Sequence, residues 1–298
     1  MCRQASLFPG RDSRRRLGRL CALLVAMLAG LSTASAAPSE TAAPDLSLYR
    51  LHPAIDTGLV LSGVALWTGA FAIVSSQTPN RLCNPCDPSE LNPIDRPFIQ
   101  FHEVAWRRVG DSMYALPFLM FLVLDARDVG FRKWQIWLTD FMIIMEGLVL
   151  QGAVTEIWRR SIQRPRPFLY VDGVYPDERA SAEATFSFYS GHVSAVFELM
   201  TGVAYTWTLR HPHSRWKPLV WTGLMLATAL SPVARVGSGD HFPTDVLVGA
   251  VIGTGFGLAW PALRHYVHEH DKLFKHQISL STSIQDGGVR VSLGMDLY

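Results

Sequence analysis

Charge is scarce in this chain: Asp, Glu, Lys and Arg make up 17% of 298 residues, below the ~25% of an average soluble domain. Disorder needs the opposite balance, and 49% of the side chains here are hydrophobic. No internal repeat or low-complexity segment is present. A basic excess is missing too. The formal charge of +2 hides six Arg against one Asp in residues 1–36, so the remainder carries 21 basic and 24 acidic groups. A net of −3 leaves no electrostatic footprint for nucleic acid. Cysteine is sparse: beyond Cys2 and Cys21 only Cys83 and Cys86 remain. Two thiols cannot complete a four-ligand zinc site, and no β-α-β pattern surrounds Cys83-Asn84-Pro85-Cys86 to suggest a thioredoxin-like centre. In an oxidising compartment the pair reads as a small loop-stapling disulfide.

What is present begins with an address. Arg11, Arg14, Arg15, Arg16 and Arg19 precede an uncharged apolar run from Leu20 to Leu31, followed by Ala34-Ser35-Ala36. A charged leader, a short apolar core and a small-x-small site make a secretory signal peptide over residues 1–36. The run is short for a membrane span, although an uncleaved first helix would serve the same export.

The mature chain has a mean hydropathy lifted by six apolar segments: 57–80, 112–124, 134–158, 186–209, 218–234 and 246–263. Ala, Leu, Val, Met and Trp dominate them at lengths that favour helices over strands. The expected fold is therefore all-α, a six-helix bundle over residues 37–276. After it, 277–284 and 289–298 alternate apolar and polar residues around Asp286-Gly287-Gly288, which reads as a C-terminal β-hairpin tail over 277–298. Basic residues gather at alternate turns: Arg127, Arg132 and Lys133; Arg210, Arg215 and Lys217; Arg264, Lys272 and Lys275. The positive-inside rule puts those turns in the cytoplasm and the opposite end of the bundle outside. A cleaved signal followed by six spans would invert that orientation. Parity holds if only one of 20–36 and 57–80 crosses, or if nothing crosses and the bundle is a periplasmic domain. Glu146, Glu156 and Glu198 interrupt apolar stretches. In lipid they must face the bundle interior; in a soluble protein they would mark where a helix meets water. His265, His268, His270 and His276 with Glu269 and Asp271 read better as a solvated helix end than as a metal site.

Three clusters stand at helix ends. The first is Arg159-Arg160-Ser161-Ile162-Gln163-Arg164-Pro165-Arg166-Pro167. The second is Tyr189-Ser190-Gly191-His192. The third runs from Arg235 through Asp240-His241 to Asp245. An up-and-down bundle alternates its ends, so all three share one face. Arg159, Arg166 and Arg235 offer planar donor forks that suit phosphate oxygens. Ser190-Gly191 opens a helix whose free N–H groups favour an anion. His241 and Asp245, four apart, allow the carboxylate to orient one ring nitrogen and leave the other as nucleophile. His192 can protonate the departing oxygen. Nucleophile, orienter, acid and anion donors form a phosphoryl-transfer set that requires no metal or cofactor.

These clusters resemble the K-x6-R-P, P-S-G-H and S-R-x5-H-x3-D signatures of the type-2 phosphatidic acid phosphatase and vanadium haloperoxidase superfamily, over roughly residues 55–265. The resemblance implies an all-helical core and metal-independent phosphatase activity. It assigns the phosphohistidine to His241, its orientation to Asp245 and the acid role to His192. It assigns phosphate binding to Arg159, Arg166, Ser190, Gly191 and Arg235. Arg159 stands where the family has Lys, Tyr189 replaces Pro, and Ala234 replaces Ser. The expected substrate is a phosphomonoester or pyrophosphate, of a lipid by preference over a small soluble phosphoester, met at the periplasmic face of the inner membrane. A vanadate-dependent haloperoxidase and a non-catalytic phosphate-binding membrane protein are the alternatives.

Overall fold

The computed structural model describes residues 46–75, 83, 85–179, 181–285 and 288–295. The expected signal peptide, residues 76–80 of the first expected span, and the Asp286-Gly287 turn lie outside the described residues. In chain order the longer helices are α1 (Pro53–Ser75), α2 (Val104–Ser112), α3 (Ala115–Phe121), α4 (Trp134–Ile162), α5 (Gly191–Arg210), α6 (Lys217–Thr228), α7 (Leu230–Gly237) and α8 (Pro243–Gln277). They form six helical passes. The second pass is α2 with α3 and a following π turn at Leu122–Ala126, and the fifth is α6 with α7.

The two composite passes correct the sequence reading, which drew one helix over 112–124 and another over 218–234. Proline explains both breaks. Its ring clashes with the carbonyl four residues back, and it has no N–H to give. Pro117 therefore disturbs the backbone at Met113, between α2 and α3, and Pro232 disturbs it at Thr228, the last residue of α6, so that the break falls at Ala229. The second pass also begins at Val104, earlier than expected. Proline is harmless at the start of α1 and α8, where the first turn has no carbonyl to bond.

α5 is the central helix, buried through most of its length from Val193 to Trp207. It packs on α8 and α4. Its contact with α8 is close because α8 presents Gly249, Gly253 and Gly257 four residues apart. A Cβ at Gly249 would lie 2.7 Å from the Ser190 carbonyl oxygen, and at Gly253 and Gly257 it would overlap the carbonyls of Ser194 and Glu198. This is the small-residue stripe that lets membrane helices approach backbone to backbone. Gly152 serves the same end on α4, where the Trp67 ring of α1 fills the place of a side chain.

Four stretches are long and apolar enough to cross a bilayer: Val104–Val129, Phe131–Tyr170, Lys217–Gly237 and Pro243–His270. α1 carries a shorter apolar stretch, Ala54–Gly69. Leu61, Leu119, Leu226, Leu247 and Val251 lie exposed on these outer helices. An apolar exterior around a buried central helix is the arrangement of a membrane protein.

Glu146, Glu156 and Glu198 are all buried, as the membrane reading requires. Two of the cations counted toward the charged turns are buried as well. Arg264 pairs with Asp56 at 2.7 Å and with Glu146 at 3.4 Å, and Arg210 pairs with Asp125 at 2.9 Å and with Asp140. Paired inside the bundle, they carry little weight in topology, whereas Arg127, Arg132, Lys133 and Arg215 remain exposed. Cys83 and Cys86 are joined by a disulfide, and Cys86 belongs to a small apolar cluster with Leu91, Phe168, Leu169 and Phe242 beneath the loop that carries His241. After α8 the strands β1 (Ile278–Gln285) and β2 (Gly288–Met295) pair antiparallel, with Ile278 opposite Met295.

Candidate active site

All three clusters reach one cavity of about 510 Å³, lined by Arg159, Arg166, Gly191, His192, Arg235 and His241. Each arrives by a different local device. α4 stops at Gln163, which turns left-handed at φ 48° and returns its N–H to the Arg159 carbonyl at 3.0 Å. Pro165 and Pro167 then prevent the helix from resuming, so Arg166 lies on an extended segment beside the helix end. Ser190 caps α5 by accepting from the Val193 N–H at 3.4 Å, and Gly191 and His192 form its first turn. α7 ends at Gly237, and Gly239 turns at φ 72°, a conformation open to glycine at little cost. That turn presents Asp240 and His241 just before α8.

Every cation of the cradle is tied by an acid behind or beside it. Arg159 donates to the Phe186 carbonyl at 3.2 Å, to Glu156 at 2.8 Å and to Glu183 at 2.5 Å. Arg166 donates from Nε to the Glu183 carbonyl at 2.9 Å and from Nη1 to Asp240 at 3.5 Å. Arg235 meets Asp111 through Nη1 at 3.0 Å and Asp240 through Nη2 at 2.9 Å. Asp240 also receives Arg107 at 2.7 Å and the Ser238 hydroxyl at 2.8 Å. Burial alone would push the Asp240 carboxyl up, but Arg235, Arg166 and Arg107 outweigh it and hold the group below the usual carboxylate range. It is a fixed anion that sets the angle of the forks facing the cavity.

His241 is almost wholly buried. Its Nδ1 lies 2.8 Å from the Ser187 carbonyl oxygen and 3.9 Å from Asp245 Oδ2. This corrects the expected contact: the carbonyl, not the Asp245 carboxylate, takes the ring N–H. Asp245 is otherwise engaged, accepting from the Phe242 N–H at 2.9 Å, the Ser187 hydroxyl at 2.5 Å and Arg164 at 2.5 Å. It thereby orients the ring at one remove, by holding Ser187. Because a carbonyl only accepts, Nδ1 bears the proton and Nε2 keeps its lone pair. Burial first, then Arg166, Arg235 and Arg159, hold the His241 ring well below the ordinary imidazole value, so it is neutral near pH 7.

His192 keeps more water, with 31% of its side chain exposed. The Tyr114 ring lies 4.6 Å from its own, and Asp111 Oδ1 is 3.4 Å from its Nε2. Burial and then Arg235 lower this ring to about 3.

Several contributors escaped the sequence reading. Arg164, within the first cluster, bridges Asp245 to Asp95 at 2.7 Å, and Asp95 accepts from the Thr244 hydroxyl at 2.6 Å. Glu183, Asp111, Arg107 and Ser187 are others. Asp240 and Arg164 lie inside the third and first clusters, where their charge is the signal that marks them. Ser187 acts through a backbone carbonyl, which leaves no trace in composition. The departures from the family pattern now have surroundings. The Tyr189 hydroxyl is 3.0 Å from Thr155 Oγ1, in a buried chain that continues through Gln151 to Ser194. Ala234 is buried against Gly110.

Among the described residues no group of three or more His, Cys, Asp or Glu is placed to hold a metal ion. In the cluster on α8, His265 Nδ1 and His270 Nδ1 lie 2.9 Å and 2.8 Å from the backbone carbonyls of Leu48 and Tyr266.

Residues 140–269 match the family model of the PAP2 superfamily, the family that the three motifs resemble. Comparison with curated proteins finds no match. Among solved structures, a transmembrane PAP2-type phosphatidylglycerolphosphate phosphatase from Bacillus subtilis is 19% identical, with a TM-score of 0.40 over 86% of this chain and 96% of that one. A likeness at that score carries no functional weight.

Proposed function

With residues 140–269 recognised as PAP2 superfamily, we propose that this protein is a phosphatase that cleaves a phosphomonoester or pyrophosphate, of a lipid by preference, through a phosphohistidine. One observation carries the reading: His192, His241 and three arginines from separate stretches of chain line a single cavity. Trp67, Phe118 and Leu148 line the same cavity, and an apolar wall suits an acyl or prenyl chain better than a sugar. Arg159, Arg166 and Arg235 hold the phosphoryl oxygens, with the N-terminus of α5 behind Ser190 and Gly191 adding to the positive field.

His241 Nε2 forms the bond to phosphorus as the ester P–O bond breaks, and the leaving oxygen takes the proton of His192. A water then bonds to phosphorus and gives its proton to His192. The P–N bond breaks with its electron pair returning to Nε2, and inorganic phosphate leaves. Asp245 and Ser187 keep the tautomer and angle of the attacking ring. The exposed cations Arg127, Arg132, Lys133 and Arg215 at the turns opposite the site support a periplasmic position for the cavity. Residues 37–276 form the catalytic domain in this reading, and 277–298 a tail outside it.

The test is phosphate release by detergent-extracted protein in excess chelator, from p-nitrophenyl phosphate and from a panel of lipid phosphates and diphosphates. His241→Ala should lower every rate by at least about 10³-fold. Equal rates in parent and variant would remove the enzyme reading and leave a phosphate-binding membrane protein.

A further inference from the structure

The polar rim of the cavity is not uniformly positive. Asp111, near the end of α2, places Oδ1 3.0 Å from Arg235 Nη1 and 3.4 Å from His192 Nε2. Its side chain is 57% exposed, unlike the buried Asp240 that serves the same arginine from behind. Asp111 precedes Tyr114 and Phe118 on the second pass, both of which line the cavity, with the Tyr114 ring against the His192 ring. All three precede residues 140–269, the span of the family match.

His192 marks where the leaving group departs, since the proton it delivers goes to the leaving oxygen. A carboxylate within reach of its Nε2 therefore stands on the leaving-group side. From an ester the departing group is an alcohol, which brings no charge and offers a hydroxyl that the carboxylate can accept. From a diphosphate the departing group is itself a phosphate, whose negative oxygens would arrive beside Asp111. Like charges at that separation, next to a low-dielectric wall, oppose binding and transfer.

We propose that Asp111 is a specificity-determining residue that selects phosphomonoesters with an alcohol leaving group and rejects diphosphates. The inference rests on the assignment of His192 as the acid in the proposed function, and it chooses between the two substrate classes left open there. Arg235 keeps Asp111 in place through Nη1, while Asp240 holds Nη2.

The experiment compares dodecyl phosphate with dodecyl diphosphate, matched in tail, using the detergent-extracted full chain in chelator. The readout is the ratio of kcat/KM for the diphosphate to that for the monoester. Asp111→Asn should raise this ratio about tenfold, and Asp111→Glu, which keeps the charge, should leave it near the parent value. In the parent, raising salt should lift the ratio, since the carboxylate is exposed and screened. An unchanged ratio in Asp111→Asn would overturn the proposal, as would the same rise in Asp111→Glu. Failure of the parent to release phosphate from either substrate would instead sink the underlying phosphatase reading.

Discussion

His192 and His241 share a cavity and a chemical type, yet their surroundings suit them to opposite tasks. His241, with 4% of its side chain exposed, is kept neutral by burial and by three arginines, as a nucleophile needs. His192 must carry a proton to act as acid, although burial and Arg235 oppose this. A bound phosphate dianion neutralises those same arginines, so occupancy raises the His192 pKa. The sign follows directly: kcat/KM, which reports the free enzyme, should fall with rising pH before kcat does. For an alkyl phosphate the two limbs should be separated by at least about one pH unit, and His192→Ala should abolish both. The same variant should lose about 10²–10⁴-fold on the alkyl ester and much less on p-nitrophenyl phosphate, whose leaving group needs little acid help. Coincident limbs, or an equal loss on both esters, would count against the assigned role. The residues that bear charge into the cavity were legible in the motifs, because Arg and His announce their chemistry. The acceptor on His241 was not. A backbone carbonyl is common to every residue, and the 3.9 Å gap to Asp245 depends on where Ser187 and Arg164 pull that carboxylate.

At the scale of elements, the site depends on how closely α5 and α8 meet. Ser190, which caps the helix bearing His192, faces Gly249, and Ser194 faces Gly253 one turn on. Gly253→Ala would press a methyl group into the Ser194 carbonyl oxygen, a backbone atom that cannot rotate away. Overpacking of this kind costs about 1–3 kcal/mol, so the apparent Tm in detergent should drop by several degrees. Gly255→Ala, on the same helix with open space around its Cα, is the control and should leave Tm near the parent value. Equal Tm for the two variants would show that the glycine stripe is not the contact that sets the interface. The number of helical passes could be read from the apolar segments, because length and composition suffice for that. The breaks at Met113 and Ala229 were also in the sequence, as Pro117 and Pro232, but inside long apolar runs they were passed over. Asp95, Arg107 and Asp111 could not be placed in advance, because they join the site from segments that carry no motif.

Among the described residues, the helices of the unit that begins at Leu46 surround a polar cavity and present an apolar exterior. Among the described residues, charge is buried in the cradle and in the internal pairs Arg210 with Asp125 and Asp140 and Arg264 with Asp56. Such a protein can keep a phosphate site inside the membrane region while its outer helices present Leu and Val to lipid. In the proposed function the chemistry rests on one nitrogen atom, His241 Nε2. Trapping that atom is therefore the most direct test. Detergent-extracted protein turning over a 32P-labelled lipid phosphate should be quenched in base and digested, and the label followed by peptide. The phosphohistidine mechanism predicts base-stable, acid-labile label on the peptide carrying His241, and none in His241→Ala. Continued turnover with no such label, or label on a peptide without His241, would contradict it.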